Sequence, residues 1–296
     1  MTLPPTTALD PGAARDQRAL VGVAWMLLGT LMGSAIDACV KALQGDFDTP
    51  QIVLLRLLCA LPFVLLFARF TGGLGGLRTR RWRWHLLRAA CASGATFGFF
   101  YALGELPLVL VVTIGFASPL LIAALSRPFL GERVGIGRWI GIAVGFGGVV
   151  IALQPGSTAW HPAMLAVLAS TLCWAILAMS ARRIGSDEPM GIMVLGTMPL
   201  SILIGVALAL PAWVSPAPAD WLLFGLLGLC GASAHYCVVF AYRAASGATV
   251  APMEYTGLIW TASFGWVFWA EVPDAWTLVG AAVIVGGGLM VLRASD

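Results

Sequence analysis

Charge is what this sequence has least of. Only 10% of its 296 residues are Asp, Glu, Lys or Arg, against about 25% in an ordinary soluble domain. So few charges cannot make a water-facing surface, which excludes a soluble enzyme or a soluble nucleic-acid-binding domain. Histidine is scarcer still: His85, His161 and His235 are the three in the chain, and they are scattered. A His/Cys metal cluster is therefore not expected. The six cysteines, Cys39, Cys59, Cys91, Cys173, Cys230 and Cys237, form no CxxC pair and fall within apolar runs, where a thiol acts as a small packing group. No phosphate-cradling glycine loop and no nucleophile elbow is present, so neither ATP hydrolysis nor a cofactor is expected. Residues 1–18 are polar and lack an apolar core followed by a small-residue cleavage site, which argues for an N-terminal tail rather than a cleaved signal peptide.

Apolar residues are what the chain has in excess, at 59% with a mean hydropathy of +0.91. A spanning helix needs roughly 20 mainly apolar residues. Breaking the sequence at its Gly, Pro and charged clusters gives spans near 19–41, 50–69, 84–104, 107–126 and 136–153, then 161–183, 190–210, 219–242, 248–269 and 274–292. The runs are too continuously apolar for a membrane β-barrel. The expected fold is an all-α membrane protein with ten transmembrane helices. With both termini cytoplasmic, every Lys and Arg except Lys41 and Arg56 falls on the inner side, as cytoplasmic loops of an inner-membrane protein require. Tryptophans mark both interfaces. The stretch Arg78 to Arg88, interleaved with Trp82, Trp84 and His85, reads as an anchored inner loop rather than a nucleic-acid patch.

Sliding the chain against itself by 139 residues lays Glu132 on Glu271, Gly141 on Gly280, Gly148 on Gly287 and Leu153 on Leu292, and a shift of about 141 lays Lys41 on Arg182. The halves, residues 19–155 and 156–296, thus read as a duplication. Each has five spans, an odd number, so the second enters the membrane inverted. In inverted-repeat transporters the substrate site lies near the midplane between the repeats.

The stretch Tyr101 to Leu153, with FASPLL, the GER of Gly131 to Arg133 and RWIGIAVGFGGVVIAL, resembles the EamA-type half of the drug/metabolite transporter superfamily. YRAASGATVAPMEYT, the AEVP of Ala270 to Pro273 and LVGAAVIVGGGLMVL echo it in the second half, while Lys41, Pro50 and Arg56 are similar to the family's first-half pattern. The resemblance implies ten helices around a cavity lined mainly by spans one, three, four, six, eight and nine. It further implies transport of amino acids, aromatic or apolar ones included, or similar metabolites, often as export. AEV lacks the basic residue that follows Glu132, so no role of a Glu-Arg pair passes to Glu271.

Charges inside spans are expensive and usually face a cavity or a partner. Asp37 and Arg56 lie at matching depth below the outer surface, either as a pair or as substrate contacts. His235 and Glu254 lie at matching depth below the inner one, and Glu254 falls on Gly115 of the other half; a substrate, a proton or a satisfied neighbour each explains them. Tyr101, Trp174, Tyr236, Tyr255 and Trp260 supply aromatic surface on the implied cavity spans, as stacking walls or as ordinary packing. Pro119 and Pro252 are placed to kink spans four and nine. Glu132 and Glu271, at the mouths of spans five and ten, read as structural or gating charges that complement helix N-termini. The leading function is a secondary transporter whose partners are a small molecule and the bilayer, with no nucleic acid and no obligatory protein partner. The alternative is an integral-membrane enzyme acting on a lipid or prenyl substrate.

Overall fold

The computed structural model describes residues 11–70, 81–131, 135–184, 193, 195–245 and 247–294. Its helices are α1 (Pro11–Leu43), α2 (Thr49–Phe70), α3 (Trp82–Glu105), α4 (Leu108–Gly115), α5 (Ser118–Leu130) and α6 (Ile136–Leu153) in the first half. The second half holds α7 (Ala163–Ile184), α8 (Met198–Ala209), α9 (Pro218–Ala244), α10 (Gly247–Val250), α11 (Gly257–Trp269) and α12 (Ala275–Arg293). Among the described residues, eight spans are long and apolar enough to cross a membrane, α4 and α5 counting together as one. The seventh is the shorter Met198–Ala212, preceded by residues of which 194 lies outside those described. The ninth is α10 and α11 joined by a 3₁₀ turn, Ala251–Thr256. The protein is thus an all-α membrane protein of ten spans in two inverted five-helix halves.

Spans four and nine each break at a proline. Pro119 stands in the first turn of α5 and Pro252 in the first turn of the 3₁₀ segment. Proline lacks an N–H and disfavours helical backbone in the residue before it, so the ladder is interrupted. At the first break the Phe116 N–H still reaches the Val112 carbonyl at 3.0 Å, while Ala117 turns back to Ile114.

The inverted repeat is visible in the contacts themselves. Spans one and eight (α1 and α9) pack along one another, as do their repeat-mates, spans six and three (α7 and α3). The α6–α12 crossing, span five on span ten, is closest of all. A Cβ at Gly141 would lie 2.9 Å from the Gly287 carbonyl oxygen, and one at Gly148 would lie 2.8 Å from that of Gly280. In the 139-residue register Gly280 is the mate of Gly141 and Gly287 that of Gly148, so each contact is the image of the other. That exchange is the signature of a two-fold relation between like surfaces. Without side chains at these points the backbones come close enough to be held by dispersion in an apolar solvent.

One end of the bundle is sealed. Leu43, Phe47, Ile52, Leu103, Leu106, Leu108 and Phe224 are buried there in one apolar cluster, with the Phe47 and Phe224 rings 5.4 Å apart. At the opposite, arginine-rich end, Arg88 is not in a loop. It is buried in α3, where it donates to the Leu177 and Met193 carbonyls and to the Ser180 hydroxyl at 3.0–3.1 Å.

Candidate functional site: a central cavity between the halves

Met26, Thr30, Gly33 and Asp37 recur along α1 at three- and four-residue intervals and so share one face. That face, the two helix breaks, Trp174 of α7 and Gly288 of α12 enclose a cavity of about 720 Å³. Its lining runs from Asp37 toward Ser126, Arg138 and Leu292 at the arginine-rich end. An adjoining space of about 350 Å³ continues toward the sealed end and is lined by Arg56, Thr96, Phe99, Phe100 and Thr171. Asp37, Phe116, Ser118, Trp174 and Glu254 belong to both, so the two form one compartment with its charges near the junction.

The broken spans face each other across it. Phe116 and Tyr255 are mates in the 139-residue register, and their rings lie 5.4 Å apart at an angle of 44°. The pseudo-two-fold axis therefore runs between them, and the cavity sits on it. Serine and threonine side chains of α1 hold the ninth span in its broken form: Ser34 donates to the Gly257 carbonyl at 3.1 Å, and the Thr30 and Thr256 hydroxyls are 3.1 Å apart. A carbonyl released by a break needs such a partner away from water. The Tyr255 hydroxyl lies where a Cβ on Gly288 would stand, so only glycine admits the ring in this pose.

Of the residues singled out from sequence, Asp37, Arg56, Trp174, Glu254 and Tyr255 meet at this compartment. The expected Asp37–Arg56 pair is looser than a direct bridge. The two interact electrostatically, but the Arg56 guanidinium stacks over the Phe100 ring at 5.0 Å and makes no ion pair with Asp37 within 4.0 Å. Tyr101 is 47% exposed on α3 and lines neither space. Tyr236 and Trp260 are partly buried and line neither; the indole N–H of Trp260 is buried without a partner among the described residues. Glu132 and the side chain of His235 lie outside the described residues. Phe116 and the α1 hydroxyls were not singled out, although the repeat register points from Tyr255 to Phe116.

Glu271 is not the cap of its own helix. Asp274 does that, accepting from the Trp276 and Thr277 N–H groups at 2.9 and 3.0 Å and from Gln154 of the other half at 3.2 Å. Partial burial pushes the Asp274 carboxyl up, but the bonds from Thr277, Trp276 and Gln154 together hold it below the usual carboxylate range. Glu271 instead reaches across the repeats. One oxygen accepts from the N–H of Leu108, the first residue of α4, at 2.9 Å, and the other takes the Lys41 ammonium. Lys41 also donates to the Leu106 carbonyl at 3.1 Å and lies 5.7 Å from the centre of the Trp269 ring. This clasp ties α1, the start of α4 and the end of the ninth span together over the sealed end of the cavity.

Two inverted halves, a helix broken in the matching span of each and a compartment on the axis between them define a secondary transporter. The chain belongs to the EamA-like transporter family, whose profile matches it twice, over residues 20–154 and 161–293. It is similar to a riboflavin transporter of Rhizobium johnstonii, with 31% identity over 95% of this chain and 94% of that protein. It is also similar to an S-adenosylmethionine uptake transporter of Rickettsia bellii, 26% identical over 92% of this chain and 93% of the relative. A solved protein structure superposes with a TM-score of 0.65 over 95% of this chain and 99% of its own at 21% identity, a likeness of fold alone. The family is one of transporters, and the enzyme alternative falls.

Proposed function

We propose that the protein moves a small metabolite bearing a flat ring, of flavin or adenosyl size, by alternating access through the central compartment. The carrying observation is the compartment itself, about 720 Å³ with Trp174, Phe116 and Tyr255 in its walls. Sites of 300–1,000 Å³ suit drug-sized ligands, and a single amino acid fills a fraction of that. The reading therefore narrows from amino acids, the smaller candidates, toward larger ring-bearing substrates of the kind named for the two relatives. Trp174, Tyr255, Asp37, Arg56 and Glu254 are its substrate-facing residues. Tyr101, Tyr236 and Trp260 act behind the wall, and His235 is assigned to the polar end by its place on α9.

In this reading residues 1–18 form a tail, 19–155 and 156–296 are the repeats, both termini are cytoplasmic and the protein resides in the inner membrane. The cavity lining extends toward the cytoplasmic end while the Lys41–Glu271 clasp holds the outer end shut, an inward-facing arrangement. Export, which the resemblance implies, and uptake, as in the name of the Rickettsia relative, use the same cycle, and the gradients set the net direction. The test is flux in proteoliposomes containing only this protein, with riboflavin, S-adenosylmethionine and tryptophan as probes. Saturable movement of a ring-bearing probe, weakened by Trp174→Ala, is expected. Movement of single amino acids only, or ring-bearing flux indifferent to Trp174→Ala, would overturn the substrate reading.

A further inference from the structure

The charges in and around the compartment are unequally committed. Glu271 is spent on Lys41 and Leu108, and Asp274 on its helix end. Arg56 lies over the Phe100 ring and packs within 3.7–3.8 Å of the space beside Gly231. Asp37 differs. Its carboxylate stands where the two cavity spaces join, feels the charge of Arg56, and forms no hydrogen bond or direct ion pair with any described residue. Around it are Trp174, more than half exposed, Phe116, and the second carboxylate of Glu254. A carboxylate kept at membrane depth with its hydrogen-bonding capacity unspent is expensive unless something cationic completes it. Aromatic faces beside it add attraction for a cation and for a flat ring alike.

We propose that Asp37 anchors a cationic centre, an ammonium or sulfonium, of the transported metabolite, with its ring stacked against Trp174 and Phe116. The inference rests on the ring-bearing reading above and sharpens it: the preferred substrate is a cationic adenosyl-type compound rather than a neutral flavin. Arg56 stays on the Phe100 side, where it stabilises the empty site by partly offsetting the Asp37 charge. Glu254 adds to the negative potential of the junction, so a cation is attracted before it reaches the anchor.

The test compares two probes that share a ring and differ in charge, adenosine and S-adenosylmethionine, on the full chain in detergent and in proteoliposomes. The wild type is expected to bind S-adenosylmethionine at least tenfold more tightly than adenosine. Asp37→Asn, close in shape, should reduce that preference to within about twofold while adenosine binding holds, and Asp37→Glu should keep most of it. The melting temperature of each variant reports its folding, and should Asp37→Asn fail to fold, the loss of preference at high salt in the wild type takes its place. A preference that survives in Asp37→Asn, or a wild type with none, overturns the proposal. Transport of riboflavin without either adenosyl probe also overturns it and leaves the ring-bearing reading standing, whereas movement of no ring-bearing probe removes both.

Discussion

In the orientation proposed above, breaking the Lys41–Glu271 clasp should open the outer end of the cavity. The two side chains are 12% and 21% exposed, so the pair is neither a surface bridge nor a fully desolvated one. Removing one partner of a buried pair costs about 3–5 kcal/mol, and exposed pairs are worth about 0.2–1 kcal/mol. An intermediate loss of about 1–3 kcal/mol follows, provided the clasp is made only in the inward-facing state. At about 1.4 kcal/mol per tenfold, the ratio of inward- to outward-facing molecules falls by roughly 5- to 150-fold. Glu271→Gln is the sharper variant, because an amide oxygen still accepts from the Leu108 N–H while the charge on Lys41 goes unanswered. The assay is labelling of Leu106→Cys, buried in the outer seal, by a membrane-impermeant maleimide in a background without the six native cysteines. Labelling from outside should speed up about fivefold or more. Lys41→Met should act in the same direction, and the double variant should add little. The 139-residue register lays Glu132 on Glu271 and the shift of about 141 lays Lys41 on Arg182, so Glu132→Gln is expected to push the equilibrium the other way. Unchanged labelling with a lowered melting temperature would show that the clasp only holds the fold together.

Three further outcomes follow from named contacts. Gly288→Ala places a methyl against the Tyr255 hydroxyl, so the ring must turn into the cavity; the apparent KM for a ring-bearing substrate should rise several-fold, and Tyr255→Phe in the same chain should restore part of it. Gly287→Ala meets backbone rather than a movable side chain, with the Gly141 carbonyl oxygen 2.7 Å from the new Cβ, and should lower stability by about 1–3 kcal/mol in a detergent melt. Asp274, whose carboxyl is held below its ordinary value in the folded state, contributes stability that is present above about pH 4 and lost as pH falls through its folded value. Melting curves from pH 3 to 6 should show that loss in the wild type and a flatter profile in Asp274→Asn.

How much of this was legible in the sequence depends on which coordinate a residue's position specifies. Height along the membrane normal is the coordinate on which the sequence speaks, because each residue of a spanning helix rises 1.5 Å and arginines are expected to collect at one face of the bilayer. Depth set Asp37 and Arg56 near one surface and Glu254 near the other, whereas the structure puts all three in the lining of one compartment. Rotation about the helix axis was not readable from the same signal. A soluble helix betrays its buried face by an apolar stripe, but here the lipid-facing and cavity-facing sides are both apolar. Tyr101 and Trp174 therefore looked equivalent, and only Trp174 reaches the cavity.

Glu271 illustrates a second limit. A carboxylate near a helix start suggests a cap, and the local rule favoured α12, yet Asp274 lies closer to that helix and holds the position. The Glu271 carboxylate was left free to satisfy the start of α4 and the ammonium of α1, contacts between residues more than 160 positions apart that no local pattern encodes. The duplication reaches such distances where local rules do not. One register, read from Glu132 on Glu271 and a few glycines, also pairs Gly141 with Gly280, Gly148 with Gly287 and Phe116 with Tyr255, and in each case the structure brings mates, or the mates of neighbours, into contact across the axis. Where that symmetry is broken, as at Gly115 opposite Glu254, packing had already been solved by a residue without a side chain. The carboxylate at the mate position therefore has no counterpart from which the register could place it, and only the structure shows it in the wall of both cavity spaces.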